Sequence, residues 1–257
     1  MEIKKPGRFL LDKLLGAAAI LLLTCSFSLY AGGKRVVFIG DSITDGNWGI
    51  VYHYKPTSAE RSQTDLNHIY GHSFVFLIAS DYLSGHPGCG HQFFNRGFSG
   101  HRLRNLSARW QEDVLDLHPD ILTVMVGTND VHYWLEDGGG EDFDFVAWKA
   151  EYAHLLQLVK DQNPAVKLVL CPTFIARQGA QAENPKYELR EKLTRQMAAV
   201  VRELAVEFDA IFLPYDEMFD KLVRTQPEPS YWLWDGIHPS AAGHRRMANL
   251  WKKKVKL

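Results

Sequence analysis

The chain has 257 residues, of which 46% are hydrophobic and 23% charged, and its formal net charge is −1. These proportions allow a sizeable core and exclude an intrinsically disordered chain. A near-neutral charge without a basic face excludes a nucleic-acid partner, and Lys252, Lys253 and Lys254 read as a solvated tail on a helix.

Residues 1–31 differ from the rest. Lys4, Lys5, Arg8 and Lys13 give a basic start, residues 14–23 form an uncharged apolar run, and small residues follow around Ala31. That is the layout of a secretory signal peptide. It predicts export to the periplasm or the medium, with 32–257 as the mature domain. The run is short for a membrane span, which needs about 20 residues. An uncleaved anchor is one alternative, and a lipid on Cys25 is another, because Leu-Leu-Thr-Cys loosely matches a lipoprotein box.

Residues 35–40 (RVVFIG) are β-branched and apolar and predict a fully buried strand. Residues 44–70 are polar and aromatic without clean periodicity and read as a long surface loop or insertion. Residues 73–83 predict a buried helix and 91–95 a second strand. Residues 103–117 carry helical spacing up to the stop at His118-Pro119, and 120–126 form the third strand. Helices follow over 142–161, 188–208 and 240–252, with strands at 167–171 and 210–213. Apolar strands alternating with helices predict a five-stranded parallel sheet in a three-layer α/β/α sandwich. Of the cysteines outside the leader, Cys89 and Cys171 could pair in an exported protein. Cys171 ends an apolar strand, which favours a buried free thiol.

Ligands in such sheets bind beyond the carboxyl ends of the strands. Three polar clusters fall there: Gly40-Asp41-Ser42, Asn95-Arg96-Gly97-Phe98-Ser99-Gly100, and Gly127-Thr128-Asn129-Asp130. A fourth, Asp235-Gly236-Ile237-His238-Pro239, precedes the last helix. Taken singly, each has a bland reading. Ser42 is a helix cap, Gly97 a turn glycine, Asn129-Asp130 a cap or turn, and Asp235-His238 a surface ion pair.

Together and in this order, the four clusters resemble the blocks of the SGNH (GDSL-type) serine hydrolases. The resemblance implies a flavodoxin-like α/β/α fold and an ester hydrolase needing no cofactor or metal. It implies Ser42 as nucleophile, with His238 as its base and Asp235 orienting the imidazole. An oxyanion hole would use the Ser42 and Gly97 amides and the Asn129 side chain. No Gly-x-Ser-x-Gly elbow surrounds Ser42, which separates the chain from the α/β-hydrolases.

Asp41 reads as structural or substrate-facing. Trp48, Trp134 and Trp234 lie near the blocks and suit sugar rings or acyl chains; core packing is the competing reading. His86, Cys89 and His91, or His68 and His72, lack a usual zinc spacing, so no metal is expected. The leading expectation is an exported esterase removing short acyl groups, acetyl first among them, from a carbohydrate ester. Lysophospholipid or other lipid esters, thioesters, and a catalytically inactive glycan-binding domain are the alternatives.

Overall fold

The computed structural model describes residues 32–50, 53–61, 66–226, 228 and 230–257. The expected signal peptide, anchor and Cys25 lipid site lie outside the described residues, as do parts of the 44–70 segment.

Five parallel strands form one sheet in the order β2-β1-β3-β4-β5. They are β1 (Arg35–Gly40), β2 (Gln92–Gly97), β3 (Ile121–Met125), β4 (Lys167–Cys171) and β5 (Ile211–Phe212). Side chains alternate across a strand, and both faces of β1 are covered. Val36 and Phe38 enter one core with Phe74, Phe219 and Trp251. Val37 and Ile39 enter the other with Leu106, Tyr152 and Leu204. A strand buried on both sides must be apolar throughout, and that is why RVVFIG shows no alternation.

The helices that carry the polar blocks or cover the sheet are α1 (Ser42–Asp45), α2 (Phe74–Gly85), α3 (Leu103–Ala108), α4 (Thr128–Glu136), α5 (Phe145–Gln162), α6 (Tyr187–Glu207), α7 (Tyr215–Thr225) and α8 (Ala241–Lys254). Buried residues of α2, α7 and α8 cover one face of the sheet. Those of α3, α4, α5 and α6 cover the other. The expected three-layer parallel fold is therefore observed.

Three local expectations need correction. The helix predicted over 103–117 is broken after α3, with a short turn at Trp110–Asp113 and a 3-10 turn at Leu115–Leu117. Arg109 leaves helical dihedrals (φ −122°, ψ 13°), and its guanidinium turns inward to Gly40, His101 and Asp113. Helices α4 and α7 were not anticipated. Within the supposed surface loop, Trp48 and Arg61 are fully buried. Cys171 is buried and free, and Cys89 is unpaired. Among the described residues no helix is long and apolar enough to cross a membrane.

Helix α8 is tied to the sheet by one buried polar contact: the Trp251 indole N–H donates to the Thr123 hydroxyl at 3.0 Å. Trp251→Phe should lower stability by about 1–3 kcal/mol, read from urea unfolding, because a buried hydroxyl loses its partner. Adding Thr123→Val should recover part of that loss, whereas two fully additive losses would contradict the account.

Candidate active site

Strand β1 ends at Gly40, where a side chain would meet the Met125 carbonyl at 2.4 Å. The chain turns there directly into α1. Asp41 caps that helix, its Oδ1 accepting from the Ile43 N–H at 3.0 Å. Ser42 therefore occupies the first helical position, where the backbone N–H has no partner within the helix. Its Oγ lies 2.8 Å from His238 Nε2.

Asp235 and His238 share one tight loop before α8. Asp235 Oδ1 accepts from the amides of Ile237 at 2.9 Å and His238 at 2.7 Å. Its Oδ2 stands 2.6 Å from His238 Nδ1. A bridge between Leu233 and Pro239 closes the loop. Gly236 adopts φ 90°, where a side chain would also meet the Ala176 and Gln178 carbonyls. With the carboxylate accepting at Nδ1, the proton sits there and Nε2 is left as the acceptor facing Ser42. Burial works against the Asp235 charge. The bonds from the His238 ring and from the two amides outweigh it and hold the carboxyl below its usual range. The Asp235 bond in turn raises the His238 pKa against the opposing effect of burial.

The expected donor Gly97 requires correction. Its N–H donates to Asn95 Oδ1 at 2.9 Å, and its carbonyl accepts the Trp48 indole N–H at 2.8 Å. A side chain at Gly97 would also strike the Asp45 amide at 2.3 Å. It is thus a close-approach glycine whose amide is already used. Three residues on, Gly100 adopts φ 80°, and among the described residues its N–H meets no acceptor. Asn129 stands in the first turn of α4, after Gly127 at φ 129°. One of its two amide hydrogens goes to the His101 carbonyl at 3.1 Å, which leaves the other for a ligand.

A buried carboxylate joins these parts. Asp45 Oδ2 accepts from the Ser99 N–H and hydroxyl, both at 2.9 Å. Its Oδ1 takes the Arg61 guanidinium at 2.6 Å, with both side chains fully buried. Arg61 thereby anchors the insertion to the turn that carries Ser42.

The expected substrate contacts divide. Asp41 is buried in its capping role. Trp48 is buried against Phe98. Trp134 bonds the Gly140 carbonyl and lines a separate cleft with Arg102, Phe143 and Trp148. These three are not on the wall of the Ser42 cleft, because packing partners rather than chain proximity fix where each side chain goes. Trp234 is on that wall: it is 59% exposed, and its ring stacks beside His238 at 6.1 Å. The cleft measures about 520 Å³ and is lined by Ser42, Asn47, His72, Trp234 and His238, among others. A neighbouring cleft of about 530 Å³ shares Asn47 and His72 and extends to Tyr54. Among the described residues no group of three or more His, Cys, Asp or Glu side chains is placed to hold a metal ion.

The sequence pattern of the GDSL-like Lipase/Acylhydrolase family matches residues 38–246. The chain belongs to that family. An acetylxylan esterase from Geobacillus stearothermophilus is 32% identical over 228 residues, covering 87% of this chain and 94% of the relative. A solved structure of that bacterium's acetylxylan esterase superposes with a TM-score of 0.64 at 26% identity, covering 88% of this chain and 95% of the other. A Parabacteroides merdae protein described as a GDSL-like lipase gives a TM-score of 0.70 at 30% identity, over 86% of this chain and 94% of the other. This GDSL hydrolase is accordingly a carboxylic ester hydrolase.

If His238 must be neutral to act, ester hydrolysis should rise with pH through an apparent pKa above the ordinary histidine value of about 6.5. An acid limb lying below that value would contradict the role. Burial pushes the nearby Asp41 up to about 7, so its titration could mimic that limb. Asp41→Asn keeps an acceptor for Ile43 and removes the titration, and the limb should survive it. The fold favours protonated Asp41, whereas the unfolded chain holds this carboxyl near 3.9. Wild-type stability should therefore fall as pH rises from about 4 to 7, and thermal melting of Asp41→Asn should be flatter over that window.

Proposed function

We propose that Ser42, His238 and Asp235 form a catalytic triad, and that the enzyme removes acetyl groups from a carbohydrate through an acyl-enzyme on Ser42. The observation that carries this is the continuous line from the Ser42 hydroxyl to the His238 ring at 2.8 Å and on to the Asp235 carboxylate at 2.6 Å. In the first step, Ser42 Oγ attacks the ester carbonyl while His238 Nε2 takes its proton. Asp235 stabilises the imidazolium so formed. The carbonyl oxygen becomes an oxyanion facing the Ser42 and Gly100 N–H groups and the spare Asn129 amide hydrogen. Collapse expels the sugar hydroxyl, which receives the proton from His238. Water then repeats the sequence on the acyl-enzyme and releases acetate.

Three observations support the triad and the substrate class. The curated relative is an acetylxylan esterase. Structures of that bacterium's enzyme include ones described as catalytic mutants, in which a serine, an aspartate or a histidine is replaced by alanine. The replaced aspartate and histidine are three positions apart, as Asp235 and His238 are. The cleft itself has Trp234 at one wall and continues past Asn47 and His72 toward Tyr54. Flat aromatic edges set among polar side chains suit a saccharide better than a long acyl chain. The basic start and apolar run of residues 1–31 support export.

Acetate release from acetylated xylo-oligosaccharides should be lost in Ser42→Ala, by about 10³-fold or more. Asn129→Ala should cut kcat by about 10²–10³-fold. On nitrophenyl esters, activity should fall steeply beyond short acyl chains; activity that rises with chain length would assign the cleft to lipid esters instead. Trp234→Ala should raise KM for the oligosaccharide about tenfold, as a lost stacking contact of about 1–1.5 kcal/mol requires. It should leave nitrophenyl acetate nearly unchanged.

A further inference from the structure

The turn that bears Gly100 is held from behind by one buried guanidinium. Arg109, in the break after α3, has a side chain only 14% exposed. Its Nε–H donates to His101 Nδ1 at 3.2 Å, and Nη2 reaches the Gly40 carbonyl at 3.4 Å. Asp113 pairs with it at Nη1. The guanidinium lies 4.7 Å from the centre of the Phe98 ring, which stacks on the His101 ring at 5.2 Å. The carbonyl of that same His101 holds the Asn129 side chain. One residue therefore touches the backbone just before Ser42 and both residues that bracket Ser99-Gly100. Through His101 it also reaches Asn129.

We infer that Arg109 is a positioning residue for the oxyanion site, acting through His101, which it fixes as a neutral acceptor. This inference rests on reading Gly100 and Asn129 as oxyanion donors. An Nδ1 that accepts from Arg109 places the ring proton on Nε2. A doubly protonated ring would set N–H against N–H and push the turn away from the guanidinium. The surroundings oppose that state. Burial, and then the Arg109 charge, lower the His101 pKa to about 4; Arg61 acts the same way, and Asp45 and Asp113 oppose them. Two cations and two carboxylates thus face this ring. Removing Arg109 leaves the carboxylates in excess and raises the His101 pKa, while burial still holds it below the ordinary histidine range.

Nitrogen NMR of the wild-type imidazoles should show His101 as the Nε2–H tautomer, still neutral at pH 6. An Nδ1–H tautomer, or a charged ring at that pH, overturns the inference without recourse to any variant. Arg109→Met should lower kcat about 10–100-fold with KM changed less than about threefold, the pattern of misplaced groups rather than lost binding. It should also add an acid limb between about pH 4 and 6.5, above the wild-type His101 value and below that of an ordinary histidine, because burial remains. His101→Leu in that background should abolish the added limb and lower kcat by no more than about threefold further, because the two residues act as one unit. An unchanged kcat in folded Arg109→Met, or fully additive losses in the double variant, overturns the inference. Should Arg109→Met fail to fold, Arg109→Lys serves: it keeps the charge without the fork, and its kcat should fall between wild type and the loss expected for Met. Activity surviving in Ser42→Ala would instead sink the reading of the site itself, while the His101 tautomer still reports on the Arg109 contact.

Discussion

Asp45 is the carboxylate on which the geometry of the site depends. It joins segments up to 54 residues apart: the turn bearing Ser42, the turn bearing Gly100, and the insertion held by Arg61. A buried ion pair of this kind is weak evidence for net stability, since desolvation offsets much of the attraction. Losing one partner is a different matter, because an unpaired charge is then stranded, at a cost of about 3–5 kcal/mol. The pair therefore acts as a constraint on arrangement. Neither turn can shift without breaking charge-assisted bonds in a dry interior.

That constraint also explains the density of aromatic and cationic groups behind the site. Phe98 has the Arg61 guanidinium 4.1 Å and the Arg109 guanidinium 4.7 Å from its ring centre. Arg96 lies 4.9 Å from the centre of a Trp48 ring and reaches Asp113 at 3.4 Å. Buried guanidinium groups need such partners, because apolar surroundings alone would not tolerate them. The cluster sets three guanidinium groups, of Arg61, Arg96 and Arg109, against two carboxylates, of Asp45 and Asp113. The Asp235 carboxylate instead bonds the His238 ring, within the loop before α8.

Strands β1, β3 and β4 were readable because each is buried on both faces and so carries an apolar run; β4 falls where KLVLC predicts it. The four polar blocks were readable for the same reason, as each begins where an apolar run stops. Helix α7 also left a signal, in Tyr215, Phe219 and Leu222 at helical spacing, although charged residues between them obscured it. Helix α4 was masked by Thr128-Asn129-Asp130, which has the composition of a turn. Trp48 shows the opposite failure. It stands six residues from Ser42, yet its indole points inward to the Gly97 carbonyl. Proximity along the chain says nothing of direction once the backbone passes through left-handed turns at Gly46 and Asn47.

The choice between Gly97 and Gly100 isolates what sequence cannot supply. Both glycines lie in one block, three residues apart, and either residue type permits the close approach an oxyanion needs. The difference is the occupancy of one hydrogen. Asn95 satisfies the Gly97 amide with its Oδ1 while its Nδ2 donates to the Thr44 and Asp45 carbonyls. A buried asparagine with its amide and carbonyl both engaged locks β2 to α1 and removes Gly97 from the chemistry. Past that lock, the Gly100 N–H points to no protein acceptor among the described residues. An amide left open has free energy to gain from a developing negative charge, and one already bonded does not.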